Sequence, residues 1–155
     1  MEIAIANLNR IRTIKGLTYN DLAHITGYSK NSIQKLLSFN NEGKSRLDIL
    51  IAVCTALDID FPSIFKRGFG DYDSTREHLH YGSNNDVRTE YYLRKFINRV
   101  YTENKNFTNF HLKTISGLSE STISDLLNFK TKNPRVETLI KIAKGLDIPV
   151  EEMFR

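Results

Sequence analysis

Five residues within six positions carry side chains able to read a base edge: Lys30, Asn31, Ser32, Gln34 and Lys35. A lysine ammonium donates to O6 and N7 of guanine, and an asparagine or glutamine amide pairs doubly with adenine. On an arbitrary surface helix the same set is a solvated polar face, so the reading turns on the elements that hold it. Other chemistries have less to stand on. His78 and His80 sit near Asp71, Asp73 and Glu77, but no spacing there fixes a metal geometry. Cys54 is the one cysteine, which excludes an internal disulfide and a four-cysteine cluster. It has no identifiable base beside it and reads as a small buried hydrophobe. There is no glycine-rich phosphate loop and no carboxylate pair tied to a pocket. The expectation is a non-enzyme that needs no cofactor.

The elements follow from apolar spacing. A first helix is expected over about Ile3 to Lys15, with Ile3, Leu8, Ile11 and Ile14 on its inner side. Thr18 can cap a second, about Tyr19 to Thr26, that turns Leu22 and Ile25 inward. Gly27 stands where a left-handed residue ends a helix at low cost. Ser29 can cap a third, about Lys30 to Ser38, with Ile33, Leu36 and Leu37 inward. Two short helices thus meet across a glycine turn, the helix-turn-helix arrangement. A fourth helix is expected over about Leu47 to Leu57, and Asp60 and Pro62 open a short fifth through Phe65. No stretch alternates with period two, so no strand is expected.

The chain then repeats itself. Thr18 to Asn40 matches Thr108 to Lys130 at an offset of 90, with nine identities in 23 positions. After a one-residue deletion, Leu47 to Phe65 matches Val136 to Phe154 at an offset of 89. The shared residues are the apolar positions, the turn glycine and the hydroxyl caps, so both copies bury the same face. The second copy predicts helices over about Glu90 to Glu103, Asn109 to Ser116, Glu120 to Asn128, Val136 to Gly145 and Val150 to Phe154. Expected boundaries are 1–67 for the first unit, 68–89 for a connector and 90–155 for the second. A unit of about 65 residues buries only ~60% of its unfolded surface, which is viable but marginal.

The strings LTYNDLAHITGYSKNSI and FTNFHLKTISGLSESTI, each followed by an apolar helix ending in ALDI or GLDI, resemble the Cro and phage-repressor (xre-type) helix-turn-helix domain. The resemblance covers both repeats. Tyr19 and Asn109 stand where that family often places glutamine. The fold it implies is all-α: two lambda-repressor-like five-helix domains in tandem. The function it implies is a sequence-specific regulator of transcription on double-stranded DNA, acting as a repressor that occludes a promoter. In such domains the third helix enters the major groove. The residues placed on base edges are then Lys30, Asn31, Ser32, Gln34 and Lys35, with Ser121, Thr122 and Ser124 in the second copy.

That second face also carries Glu120 and Asp125, which suit a phosphate-lined groove only by accepting from cytosine N4. They motivate a rival reading: a protein-interaction module, of antitoxin or inhibitor type, that keeps the fold. Phosphates are expected on Lys44, Arg46, Lys130, Lys132 and Arg135, and on the helix starts at Tyr19 and Asn109. Residues 1–67 carry net +3, 68–89 net −2 and 90–155 net +3. The basic excess lies in the repeats and is modest, so specific binding calls for both units together. A homodimer and a protein partner on the second repeat are left open.

The connector is rich in Gly, Ser, Asn and Asp and reads as a linker. Phe69, Tyr72, Leu79 and Tyr81 within it point to local packing against a repeat. A flexible chain of 22 residues spans roughly 25 Å, against about 34 Å between successive major-groove half-sites, so one chain can in principle cover two of them. Packing, rather than base stacking, is the expected role of Phe39, Phe129, Tyr91 and Tyr92, and His24 and His111 are expected at the surface. The chain of 155 residues is 40% hydrophobic and 26% charged, which excludes wholesale disorder. No apolar run approaches the ~20 residues a bilayer requires. The amphipathic N-terminal stretch lacks the apolar core of a signal peptide. A cytoplasmic protein with no membrane partner is expected.

Overall fold

A computed structural model describes residues 1–69, 84–103 and 108–155. Among these residues every regular element is helical. The first repeat contains α1 (Glu2–Ile14), α2 (Tyr19–Thr26), α3 (Lys30–Leu36), α4 (Leu47–Ala56) and a 3-10 helix, Pro62–Phe65. The second contains α5 (Asn85–Glu103), α6 (Asn109–Ser116), α7 (Glu120–Leu127), α8 (Val136–Gly145) and α9 (Val150–Met153). The fold is all-α, with two helix-turn-helix units in tandem. No helix is long and apolar enough to cross a membrane among the described residues.

Three expectations on the helices need correction. The inner face of α1 is Ala4, Ile5, Leu8 and Ile11, while Ile14 is 72% exposed. At roughly 100° per residue, Ile14 falls about 110° from the centre of that cluster, so a period that fits the spacing still misses the face. Helix α5 begins at Asn85, five residues before Glu90, because Asn85 is held from outside: its Nδ2 donates to the Asp48 carbonyl at 3.0 Å. Ile25 is 55% exposed, whereas its counterpart Ile115 is half-buried.

A glycine accounts for the contrast at Ile115. An added Cβ on Gly145 would lie 2.7 Å from the Ile115 carbonyl oxygen, so α8 and α6 approach at a distance only glycine permits. The first repeat has Ala56 at that position. Gly145→Ala should therefore destabilise the protein by about 1–3 kcal/mol, measured as a fall in the denaturant midpoint at constant slope. Unchanged stability would mean that the two helices separate freely.

The hydrophobic core is continuous through both repeats. Leu8, Leu22, Ile33, Leu36 and Leu50 of the first and Leu93, Leu112, Ile123, Leu126 and Leu139 of the second are all at most 1% exposed. Cys54 is buried among them, which pushes its thiol well above the ordinary range.

Between the repeats lies an aromatic cluster. Phe61 meets Tyr92 at 4.8 Å and Phe154 at 4.9 Å, both edge to face. Phe65 stacks on Phe154 at 6.1 Å, and Phe96 reaches Phe154 at 5.3 Å. Beside it Arg155 Nη2 donates to Asp60 Oδ2 and to Ser63 Oγ. A second contact joins the loops that follow α3 and α7. There Leu47 N–H donates to the Pro134 carbonyl and Val136 N–H to the Ser45 carbonyl, each at 3.0 Å. Arg46 and Arg135 form an antiparallel bridge.

Of the connector, Phe69 packs against the core, and its carbonyl accepts from the Arg10 guanidinium. Asp71, Tyr72, Asp73, Glu77, His78, Leu79, His80 and Tyr81 lie outside the described residues, and with them the histidine pair.

Candidate nucleic-acid interface

Local chemistry sets up the turn in each repeat. Thr18 Oγ1 accepts from Asp21 N–H at 3.1 Å, and the Asp21 carboxylate accepts from Thr18 N–H at 2.7 Å. The two donors at the start of α2 are thereby satisfied reciprocally. The Thr18 N–H also holds the Asp21 carboxyl below its ordinary range. Thr108 caps α6 by the same hydroxyl contact to His111 N–H, but with histidine in place of Asp21 the reciprocal half is missing. Thr18→Ala should cost about 0.5–2 kcal/mol, and a thermal melt with no loss would remove the cap from the account. Gly27 and Gly117 end α2 and α6 with φ of 77° and 72°, a left-handed conformation that favours glycine. Ser29 and Ser119 then cap α3 and α7, each accepting an N–H three residues on at 3.1 Å.

On α3, Lys30, Asn31, Gln34 and Lys35 are exposed, and Ile33 and Leu36 are buried beneath them. Ser32 is half-buried, and its hydroxyl pairs with that of Ser29 at 2.9 Å. The second repeat treats its hydroxyls alike. Thr122 pairs with Ser119 at 2.8 Å, and Ser124 Oγ accepts from Asn128 Nδ2 at 3.1 Å. Of the residues expected on base edges, Ser32, Thr122 and Ser124 thus already have partners, while Ser121 is exposed. Glu120 stands 3.9 Å from Lys113.

The cations expected on phosphates divide in the same way. Lys130 and Lys132 are exposed, with no ion-pair partner among the described residues. Lys44 pairs with Glu42 at 3.3 Å, both largely exposed, a contact worth at most about 1 kcal/mol. Arg46 Nη1 donates to the Asn133 carbonyl at 2.8 Å, so this side chain also serves the junction between repeats. Arg135 is exposed and, with Lys141 as the stronger influence, helps hold Glu137 below the ordinary carboxyl range. Tyr19 is half-buried, with the Arg12 guanidinium 4.6 Å from its ring centre. Asn109 is exposed at the start of α6. An open cleft of about 530 Å³ runs beside α3, lined in part by Ser32, Lys35, Lys44 and Arg46.

Sequence reasoning missed what holds the two units together. Asn133 accepts from Asp48 N–H through Oδ1, and Tyr28, in the first turn, donates to Asp48 Oδ2 at 2.7 Å. Burial first, then Asp48, pushes the Tyr28 hydroxyl well above its ordinary range. The junction therefore touches the turn ahead of α3. The one legible signal was the recurrence of an aromatic at Phe65 and Phe154, each closing its repeat. Packing was also expected of Phe39, which instead is 66% exposed at the end of the α3 segment. Its counterpart Phe129 lies under the Arg94 guanidinium at 4.3 Å.

The Cro/C1-type HTH DNA-binding domain matches residues 7–67, and a second helix-turn-helix family matches residues 112–153. The chain matches no curated protein and no solved structure. Both matched spans contain a left-handed glycine and, after it, a serine-capped third helix with an exposed face, and the chain accordingly belongs to the xre-type helix-turn-helix proteins, as a tandem pair of Cro/C1-type domains.

Proposed function

We propose that the chain is a sequence-specific regulator of transcription on double-stranded DNA, acting as a repressor by covering a promoter. The binding units are taken as about 1–67 and 90–155, joined through 68–89. The observation that carries the reading is α3 itself. After a left-handed glycine and a serine cap, it turns Lys30, Asn31, Gln34 and Lys35 to solvent. Lys44 and the cleft lie on its flank. Those are the donors and acceptors that distinguish guanine and adenine in the major groove, with cations placed for the backbone beside it.

Selection of bound fragments from random duplex DNA by the full chain tests this. The expected result is one enriched motif; a failure to enrich any sequence overturns the proposal. Replacing Lys44, Lys130 or Lys132 with alanine should weaken every duplex alike. Each should reduce the slope of log affinity against log salt by about one. An unchanged slope removes that lysine from the phosphate contacts. The separate halves are poor reagents for such work, because cutting the chain uncovers Phe61, Phe65 and Phe154.

A second reading rests on α7, where Glu120 and Asp125 share the face that corresponds to Lys30 and Lys35. An acidic helix suits a basic protein partner better than a phosphate-lined groove. Salt-sensitive capture of a basic protein, abolished by Glu120→Lys, would favour that reading for the second repeat; DNA protection spanning both repeats would reject it.

A further inference from the structure

The contacts between the repeats pair each position with its own counterpart. Arg46 and Arg135 are equivalent at the offset of 89, and they bridge one another antiparallel. Phe65 and Phe154 are equivalent at the same offset, and they stack with an interplanar angle of 16°. The two backbone hydrogen bonds are mutual images: Leu47 to Pro134 becomes Val136 to Ser45 when the repeats are exchanged. Contacts in which residue i meets j and j meets i are the signature of a two-fold axis. Here the axis is internal to one chain and passes between the two members of each pair, Arg46 and Arg135 at one point and Phe65 and Phe154 at another. Helices α3 and α7 must then stand at equal height on opposite sides of it, with the parts of their directions perpendicular to it reversed. The loops on the axis leave directly from their C-terminal ends.

A B-DNA duplex has local two-fold axes of its own, perpendicular to its length. An internal axis in the protein aligns with one of these only when the two half-sites are inverted with respect to each other. The two faces are nonetheless unlike. Lys30, Asn31, Gln34 and Lys35 lie on one, and Glu120, Ser121, Ser124 and Asp125 at the corresponding places on the other. The junction is unequal as well. Arg155 bonds to Asp60 on one side of the axis, whereas the equivalent positions on the other are Lys66 and Pro149, which cannot pair.

We infer that one chain acts as a built-in unequal dimer, binding an inverted repeat whose two half-sites differ in sequence, with α3 on the more specific half. This rests on the DNA-binding reading above and adds the orientation, inequality and stoichiometry of the sites.

The full chain is first used to select from random duplex DNA. Its stoichiometry on the selected duplex is then measured by sedimentation. Affinity is compared with a duplex in which the weaker half-site is turned into direct orientation at the same spacing. The expected result is one chain per duplex on two unlike, inverted half-sites. Turning one half-site should lower affinity by about 10²-fold, the low end of what a second linked contact adds. A single half-site, a direct repeat, or affinity indifferent to the turn overturns the inference. So do two chains on a symmetric palindrome. All of these leave DNA binding in place, whereas absence of any selected duplex overturns the underlying function.

Discussion

Alanine at both Lys30 and Asn31 lowers specific duplex affinity by about 2–6 kcal/mol, at ~1–3 for each lost base contact. Each 1.4 kcal/mol is tenfold, so the selected duplex loses most of its advantage over random sequence. Non-specific binding drops much less, since the double variant removes one cation and leaves Lys44, Lys130 and Lys132 in place. The fold should be untouched, because both side chains are exposed and neither takes part in the Ser29 cap or the core beneath α3. Titration of the double variant against the selected duplex and an unrelated one, at matched salt, gives both numbers. Full operator affinity in that variant would reject α3 as the reading helix.

Phe154→Ala should cost about 3–5 kcal/mol of stability, the range for truncating a buried phenylalanine. Its ring is 2% exposed and meets Phe61, Phe65, Tyr92 and Phe96. The cavity would open where three elements converge: the 3-10 helix, α5 and α9. The 3-10 helix belongs to the first repeat and α5 and α9 to the second, so filling it fully requires the two repeats to shift against each other. Guanidinium unfolding should show a lower midpoint. If the repeats come apart before they unfold, the apparent slope also falls and the single transition splits. A loss under about 1 kcal/mol would mean that the aromatic junction adds little to the two separate cores.

The helical part of this fold was legible because apolar residues recur at 3.6 spacing and because hydroxyl and glycine residues mark the ends. Helices α2 and α6 begin and end where Thr18, Gly27, Thr108 and Gly117 predict, and α8 has the bounds expected from the repeat. Periodicity failed where a neighbour decides the outcome. Ile25 and Ile115 are the same residue at equivalent positions, yet Gly145 lets one helix close over Ile115, whereas the position matching Gly145 in the first repeat is Ala56. The start of α5 was hidden because Asn85 owes its position to Asp48, 37 residues earlier.

For the candidate site, the sequence yields residue types and helix positions, which place Lys30, Asn31, Gln34 and Lys35 on the open side of α3. It left unresolved which hydroxyls are already engaged. Ser32 and Thr122 lie three residues after serine caps, a spacing that brings the two oxygens together once the helix forms. Arg46 shows the converse. As an exposed cation beside α3 it reads as a phosphate ligand, and only the packed loops reveal its bond to Asn133.

The bridge between Arg46 and Arg135 closes a circuit of about ninety residues. Pairings so distant along the chain form late, after the local helices of each unit. Until then the Phe61 and Phe65 rings face water, as does the aromatic rim of the later unit. That surface accepts a complementary rim from any chain, so at high concentration two molecules can exchange halves and still satisfy every contact. Dilute refolding avoids the exchange, and species of twice the mass should accumulate when refolding is concentrated.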